Sequence, residues 1–395
     1  MPNIGPHTLD LLTLLRLPGF GPVRTLAAIE LLGSPGAVLT ADETTLRAIP
    51  GIGPRTARSV RTEAKRARRY ATDQLDQAEN AGVHVLTSLD PEYPALLRPL
   101  ADRPPVLFVR GRLEALGADR FSVGMVGSRR CSSYGLEQSE RFGGALAAAG
   151  LTVVSGGARG IDSAAHRGAV QANGRTIVVL GCGLDHVYPP ENRGLFDRIA
   201  EEHGCILSEL PLDAPPSPEH FPSRNRIISG LSLGVLVVEA GRKSGALITA
   251  RLAAEDHGRD VFTLPGRVDQ SACAGSLDLI KSGGALMVTE PHDVITGLES
   301  AARHAHGGTF EHRFLAASEP GEPTNEPSTT PAAARPEPEF DNDAARAVYD
   351  ACAEPRSLDE LVRVTGMPSA DLAREVTMLE LRGVLIREGA RLRRR

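Results

Sequence analysis

The stretch Ser155-Gly-Gly-Ala-Arg-Gly-Ile-Asp-Ser-Ala-Ala-His166 decides the fold of this chain. The apolar run before it, residues 151–154, predicts a buried parallel strand, and residues 164–172 predict a helix. A strand, a glycine-rich turn and a helix in this order direct backbone N–H groups and a helix N-terminus towards an anion. The stretch therefore predicts an α/β fold with an anion-binding turn.

Within this turn, Gly156, Gly157 and Gly160 would let a ligand approach the backbone where a Cβ would collide with it. Arg159 adds a fixed positive charge. We expect Asp162 to cap the helix. His166 follows four residues later and is as compatible with a structural role as with a functional one.

Six short apolar runs alternate with longer amphipathic stretches in the centre of the chain. The predicted strands are Phe121–Val126, Leu151–Ser155, Thr176–Leu180, Cys205–Ser208, Gly234–Glu239 and Asp260–Leu264. Predicted helices fill the gaps, for example Ser133–Ala149 and Ala246–His257. This alternation predicts a parallel sheet with helices on both faces, which binds ligands at the carboxyl ends of its strands.

Basic and polar residues follow several of these strands or precede the next helix. The candidate binding residues are Gly127, Ser128, Arg129, Gly156, Gly157, Arg159, Gly160, Phe221, Arg224, Asn225, Arg226, Lys243 and Ser244. Guanidinium groups at one sheet edge can hold successive phosphates, as a groove for a single strand requires. The alternative for Arg224 and Arg226 is an internal ion pair with Glu209 or Glu239.

The N-terminal region contains an internal repeat, because Leu17-Pro-Gly-Phe-Gly-Pro22 recurs as Ile49-Pro-Gly-Ile-Gly-Pro54. Each copy resembles the helix-hairpin-helix motif, in which a Gly-x-Gly turn exposes N–H groups at a helix N-terminus. After the second copy, a basic helical face is predicted from Arg58, Arg61, Lys65 and Arg68. An auxiliary DNA or protein contact and a purely structural role both remain open for this region.

Composition limits the possible classes of protein. The chain has 395 residues, 41% of them hydrophobic, and a net charge of −5, which indicates two or three globular domains. Its five cysteines show no CxxC pair, so we expect no metal site and a reducing compartment. No signal peptide and no apolar run of about 20 residues is visible, so no membrane contact and a cytoplasmic location are expected. Neither a dinucleotide fingerprint nor a Walker loop is present, and no cofactor is expected.

The last ninety residues begin with an acidic, proline-rich stretch. Residues 306–342 are therefore expected to form a disordered linker. Beyond it, residues 343–353, 357–365 and 369–382 predict three short helices, and residues 384–392 a hairpin, which together outline a winged helix. The mixed charges of the third helix favour protein contact over reading of a DNA groove.

One further segment shows a resemblance to a known family: Phe221-Pro-Ser-Arg-Asn-Arg-Ile-Ile-Ser-Gly-Leu-Ser232. Together with Val126–Arg129, Ser244–Ala250 and Pro265–Gly266, it closely resembles the DNA-processing protein A family (DprA, also called Smf), over residues 83–290. The resemblance implies a Rossmann-like core that binds single-stranded DNA without sequence preference. It also implies protection of this DNA, loading of the RecA recombinase during recombination or natural transformation, a homodimer formed through the core, and no enzymatic activity.

In the organisation that this resemblance implies, a small all-α helix-hairpin-helix (SAM-like) domain occupies residues 1–70 and the Rossmann-like core residues 71–305. The acidic linker, residues 306–342, and a winged-helix domain over residues 343–395 complete the chain.

Two other functions are compatible with an anion site on this fold. The first is a nucleotide N-glycosidase, related to the phosphoribohydrolases, with Glu239 or Asp162 as general acid/base. Those enzymes carry Pro-Gly-Gly-x-Gly-Thr, and the corresponding stretch here, Glu239–Thr249, lacks this signature. The second is a plain nucleotide-binding module, which would gain no affinity from a longer strand.

Overall fold

The computed structural model describes residues 5–306, 343–354, 356–369, 371, 372, 375, 376, 379, 385–388 and 391–394. The chain divides into two compact units, Met1–Pro320 and Gly321–Arg395. The predicted linker lies outside the described residues except for His306. In the described part of the chain, no helix combines the length and the apolar character that crossing a membrane requires.

The first unit begins with a bundle of helices that contains both copies of the repeat. Its helices are α1 (Thr8–Arg16), α2 (Pro22–Leu32), α3 (Pro35–Thr40), α4 (Glu43–Arg47) and α5 (Pro54–Asn80). Gly19 and Gly51 have φ angles of 86° and 79°, which favour glycine. Gly19 contacts Thr56, and Gly51 contacts Arg24, whose Nη1 donates to the Gly19 carbonyl at 2.9 Å. The two hairpins thus pack reciprocally, each against the equivalent position of the other copy.

Helix α5 joins this bundle to the rest of the unit. Its 27 residues pass through the predicted domain boundary at residue 70. The Tyr70 hydroxyl donates to Asp213 at 2.7 Å, and the Gln74 side chain accepts from the Leu212 N–H at 2.8 Å. One hydrophobic cluster contains both Leu14 and Phe108, so the bundle and the sheet edge share a core.

The centre of the unit is a nine-stranded sheet in the order β1-β2-β6-β5-β4-β3-β7-β8-β9. The strands are β1 (Val83–Thr87), β2 (Val106–Gly111), β3 (Ser122–Val126), β4 (Thr152–Ser155), β5 (Thr176–Val179), β6 (Gly204–Ser208), β7 (Gly234–Val237), β8 (Asp260–Thr263) and β9 (Leu286–Met287). The ladders from β6 to β9 are parallel, whereas β1 and β2 form an antiparallel edge. All six predicted strands are confirmed.

Helices cover both faces of this sheet, as predicted. They are α6 (Ser133–Ala148), α7 (Ile161–Gln171), α8 (Arg193–Arg198), α9 (His220–Leu231), α10 (Ala246–Arg251), α11 (Ala274–Lys281) and α12 (Pro291–His306). One face packs in a cluster with Ile227 and Val126, the other in a cluster with Phe142 and Met125. From β3 the chain runs to β6 on one side and resumes at β7 on the other, so the strand order reverses between β3 and β7. Open α/β sheets bind ligands at such a switch point.

The second unit contains α13 (Asp343–Ala351) and α14 (Leu358–Thr365) with the strands β10 (Arg356–Ser357), β11 (Leu385–Glu388) and β12 (Arg391–Arg394). The three strands form an antiparallel sheet in the order β10-β12-β11. Ser357 and Glu360 form the predicted capping box of α14. The predicted third helix, residues 369–382, lies mostly outside the described residues.

Candidate nucleic-acid interface

A basin with a volume of about 850 Å³ opens at the carboxyl ends of β3, β4 and β7, at the switch point. Hereafter it is called the basin. Its charged and aromatic lining residues are Arg129, Arg130, Asp162, Tyr188, Phe221, Arg224 and Lys243. The turn after β3, the turn after β4, the start of α9 and the loop before α10 all contribute. The basin therefore brings together most of the motifs that the sequence singled out.

Three exposed cations form the rim of the basin: Arg129, Arg130 and Lys243. Among the residues that the structure describes, none of the three has a carboxylate within ion-pair distance. Ser128 accepts from the Arg130 N–H at 3.1 Å and shapes the turn that carries both arginines. These cations are free to bind an anionic ligand.

Aromatic rings line one wall of the basin. The Arg129 guanidinium carbon lies 5.0 Å from the centre of the Phe221 ring, and the Tyr188 ring lies 5.4 Å away on a tilted plane. Tyr188 comes from the loop after β5, which Asn192 ties to the turn after β4 by donating to the Gly157 carbonyl at 2.9 Å. Sequence reasoning missed Tyr188, because a loop tyrosine belongs to no periodic pattern.

Arg224 forms part of the floor of the basin. Its side chain is buried, with 5% of the residue exposed, and Nη1 donates to the Gly156 carbonyl at 2.8 Å and to the Val179 carbonyl. Burial lowers the pKa of Arg224 to about 10, so the group remains charged at neutral pH. Arg224 thus cross-links the ends of β4 and β5 and places a positive charge beneath the basin.

Asp162 and His166 lie near Arg224, at the floor of the basin. Gly160 is the N-cap of α7, so the prediction that Asp162 caps the helix is wrong. The Asp162 carboxylate instead accepts from the Ala158 N–H at 3.3 Å across the turn. His166 is fully buried, its Nδ1 lies 2.7 Å from the Thr176 hydroxyl, and burial lowers its pKa to about 3. His166 is therefore a neutral, structural histidine.

The turn glycines bring the backbone segments close together. A Cβ on Gly127 would lie 2.4 Å from an Ile161 side-chain atom, and one on Gly160 would lie 2.4 Å from the Ser128 carbonyl oxygen. Gly156 and Gly157 similarly leave room for Arg224 and Phe196. Close approach between protein segments accounts for these glycines, whereas their predicted contact with a ligand stays a prediction.

Arg159 stands beside the basin but has a partner. Its guanidinium binds both carboxylate oxygens of Glu191, with Nη2 and Oε2 at 3.0 Å. Both side chains are about half exposed. The hydrogen bonds from Arg159 lower the pKa of the Glu191 carboxyl. A phosphate would compete with Glu191 for this guanidinium.

Arg226 lies on the other side of α9, outside the basin. It binds Glu209 at 2.6 Å and contacts Asp102 at 3.5 Å. Its side chain lines a separate cavity of about 540 Å³ between the helical bundle and the sheet edge. This is the internal pairing with Glu209 that the sequence left open as the alternative.

The remaining candidates lie at the wall formed by α9 and α10. The Asn225 amide lies 3.5 Å from the Gly245 carbonyl oxygen, and Ser244 accepts from the Ala246 N–H at 3.3 Å. Both residues line the basin. Glu239, by contrast, is 1% exposed and accepts from the N–H and the hydroxyl of Ser132, which fixes the start of α6.

An open α/β sheet with a basin at its switch point, a cationic rim and aromatic walls defines a nucleotide- or polyanion-binding class of protein. Residues 84–299 match the model of the DNA recombination-mediator protein A family. Residues 11–66 match that of a SAM-like helix-hairpin-helix tandem, and residues 330–390 that of the DprA winged helix domain. The chain belongs to the DNA recombination-mediator protein A family.

Individual relatives agree with this assignment. The chain is 38% identical over 337 residues to Protein Smf of a Synechocystis strain, covering 81% of this chain and 82% of that protein. It is 44% identical over 211 residues to DNA processing protein DprA of Streptococcus pneumoniae, covering 53% and 73%. The solved structure of DNA processing protein A from that species superposes with a TM-score of 0.63 at 33% identity, covering 73% of this chain and 97% of that one.

These matches confirm the resemblance and the fold that the sequence predicted, a Rossmann-like core flanked by a helix-hairpin-helix domain and a winged helix. They make the chain a member of a family that includes DNA-processing proteins.

Proposed function

We propose that this protein binds single-stranded DNA without sequence preference in the basin, protects it, and loads RecA onto it during recombination or natural transformation. The observation that carries the proposal is the rim itself. Arg129, Arg130 and Lys243 are exposed and have no carboxylate partner in the described part of the chain, in contrast to the paired Arg159. Cations that are left free around a concave surface suit a phosphate backbone.

The walls of the basin suit the bases of the same strand. Phe221 and Tyr188 offer ring faces, and Arg129 lies over one of them. Stacking accepts any base because every base has a π face, so it gives affinity without sequence preference. Few side-chain amides line the basin, and recognition of particular base edges is not expected.

We further propose that the protein acts as a homodimer through its core. The edge strand β9 exposes Leu286 and Met287, with 58% and 57% of each residue accessible. Apolar residues on an open sheet edge favour coverage by another chain. A second copy would bring a second basin to the same strand and raise the overall affinity.

We propose that the protein is located in the cytoplasm. We also propose that it has no catalytic activity. Glu239 is 1% exposed and held at the start of α6, and Asp162, which lines the basin, is 7% exposed and accepts from the Ala158 N–H in the turn after β4. A glycosidase needs a carboxyl group that can reach its substrate. Incubation with nucleoside monophosphates is expected to release no free base.

The test is fluorescence anisotropy with oligo-dT, comparing the protein with Arg129→Ala, Lys243→Ala and the control Arg112→Ala. Arg112 is an exposed arginine at the amino end of the sheet, next to Gly204. We expect about a tenfold loss of affinity for each rim variant, steep weakening with salt, and no loss for the control.

Equal affinity of all four proteins would refute the assigned basin. For the finer part of the proposal, RecA filament formation on the same DNA is followed with each variant. We expect the wild type to load RecA and only the rim variants to load it less. Failure of the wild type to load RecA would contradict this part of the proposal.

A further inference from the structure

A second cleft adjoins the basin at the carboxyl end of β8. It has a volume of about 530 Å³, and the residues used below are Ser132, Ser133, Tyr134, Pro265, Arg267 and Gln270. We call it the β8 cleft. None of its residues takes part in the rim of the basin.

The β8 cleft continues the basin along the same edge of the sheet. Arg130, Ser271 and Ala272 line the basin, whereas Ser132, two residues after Arg130, and Gln270, directly before Ser271, line the β8 cleft. Strand β8 is the neighbour of β7, whose end helps to form the basin. The same two loops therefore line both the basin and the β8 cleft.

On its other side, the basin continues towards β5. A narrow cleft there contains Arg159 and Gly181 and shares Arg129, Tyr188 and Phe221 with the basin. Strands lie about 4.8 Å apart, so the four intervals from β5 to β8 span about 19 Å. A track of this length is too long for one nucleotide and suits a polymer.

The chemistry of the β8 cleft fits a nucleobase. Tyr134 is 43% exposed, and its hydroxyl donates to the Pro265 carbonyl at 3.3 Å, which holds the ring as a wall. Val268, in the loop that follows Pro265, is 90% exposed. Fixed rings that remain open to solvent are the stacking platforms on which single strands bind.

Polar groups beside this ring can reach a sugar or a phosphate. Ser133 is exposed, and the Gln270 amide and the Arg267 guanidinium lie in the same cleft. Arg267 binds Asp269 in its own loop at 2.7 Å, so its charge is balanced. The β8 cleft is therefore more neutral than the basin, which suggests that bases rather than phosphates dominate there.

We propose that the β8 cleft is a second subsite for the strand held in the basin, and that it stacks one base on Tyr134. This inference rests on the proposed function. It adds that the strand crosses between Arg130 and Ala272 and runs towards β9. The occupied length then exceeds what the basin alone would cover.

The test compares Tyr134→Ala with the matched variant Tyr134→Phe, which keeps the ring and loses only the hydroxyl. Anisotropy is measured with oligo-dT of about 4 and about 16 nucleotides, within the range of single-strand site sizes. For the longer strand we expect about a fivefold to tenfold loss with Tyr134→Ala and less than twofold with Tyr134→Phe. For the shorter strand, which the basin can hold alone, we expect no loss.

A direct measurement complements the affinities. A strand carrying 5-iodouracil is photo-cross-linked to the wild type, and the modified residue is identified by mass spectrometry. A cross-link at Tyr134 is expected. Cross-links confined to Phe221 and Tyr188, with unchanged affinity of Tyr134→Ala for the longer strand, would overturn the second subsite and leave the basin in place.

Two further outcomes separate the possible failures. If Tyr134→Ala loses the same affinity for the short and the long strand, the subsite is overturned, because such a loss would mean general damage to the basin. A change of oligomeric state in sedimentation, without a change in cross-linking, would identify the β8 cleft as a protein contact instead. Absence of binding by the wild type at every length would refute the proposed function itself.

Discussion

The rim and the floor of the basin contain the same kinds of residue and use them differently. At the rim, Arg129 and Arg130 are exposed and have no carboxylate partner in the described ranges. At the floor, Arg224 is buried and donates to two backbone carbonyls, and the neutral His166 lies nearby. Residue type alone therefore does not separate a group that binds a ligand from one that supports the site.

The difference has a physical origin in solvation. A rim cation keeps most of its hydration and exchanges it for a phosphate at small cost. A floor cation has already exchanged water for protein oxygens, so its removal leaves buried carbonyls without their donor and Asp162 without a nearby positive charge. Substitutions at the rim should change affinity, and substitutions at the floor should change stability.

The largest effect is expected from Arg224→Ala. Removing the guanidinium leaves the Gly156 and Val179 carbonyls without this donor in the interior and takes a nearby positive charge from the buried Asp162 carboxylate. We expect the free energy of unfolding to fall by about 3 to 5 kcal/mol. Urea unfolding followed by circular dichroism measures it.

Arg129→Ala is the control for this prediction, because Arg129 is exposed and lies in the neighbouring turn. It should weaken DNA binding and leave unfolding unchanged within about 0.5 kcal/mol. A variant at Arg224 that is as stable as wild type and loses only DNA affinity would move Arg224 to the rim and remove the distinction.

Much of this architecture follows from the sequence. The six apolar runs predict the six central strands, because a strand buried on both faces must be apolar along its whole length. The glycine repeat predicts both hairpins of the N-terminal bundle. The sequence places the motifs at the correct edge of the sheet, since carboxyl ends of parallel strands lie together.

The sequence does not predict the partners of the side chains within the site. Arg224 and Arg226 stand two positions apart on α9 and therefore point to opposite sides, one to the floor and the other to Glu209. The pairing of Arg159 with Glu191 depends on a loop whose path no periodic pattern specifies. The same holds for Tyr188. Contacts between distant segments decide which cations remain free.

The second prediction concerns His166, near the floor of the basin, and the dependence of the protein's stability on pH. The folded protein holds His166 neutral to about pH 3, whereas an unfolded chain protonates it near pH 6.5. Between these values the unfolded state binds more protons, so stability falls as the pH falls. At pH 5 the loss from this group is about 2 kcal/mol. Unfolding is measured at pH 7 and pH 5 for the wild type and His166→Asn, whose amide can still donate to Thr176.

The wild type should lose more stability between the two pH values than His166→Asn, because other groups titrate equally in both proteins. The same loss in both would contradict a buried neutral histidine at the floor. If His166→Asn is too unstable to measure, His166→Gln offers a longer amide for the same comparison.

The smallest expected effect comes from Glu191→Gln, beside the basin. Glu191 occupies the Arg159 guanidinium that a phosphate would otherwise bind, and both side chains are about half exposed. Glutamine keeps the shape and removes the charge, so Arg159 becomes available to the strand. We expect single-strand affinity to rise about threefold and the salt slope to steepen by about 0.7. The control is Asp197→Asn, which removes a similar exposed carboxylate from Arg110, away from the basin. If Glu191→Gln and Asp197→Asn bind DNA equally well, Arg159 lies outside the path of the strand, and the rim ends at Arg129.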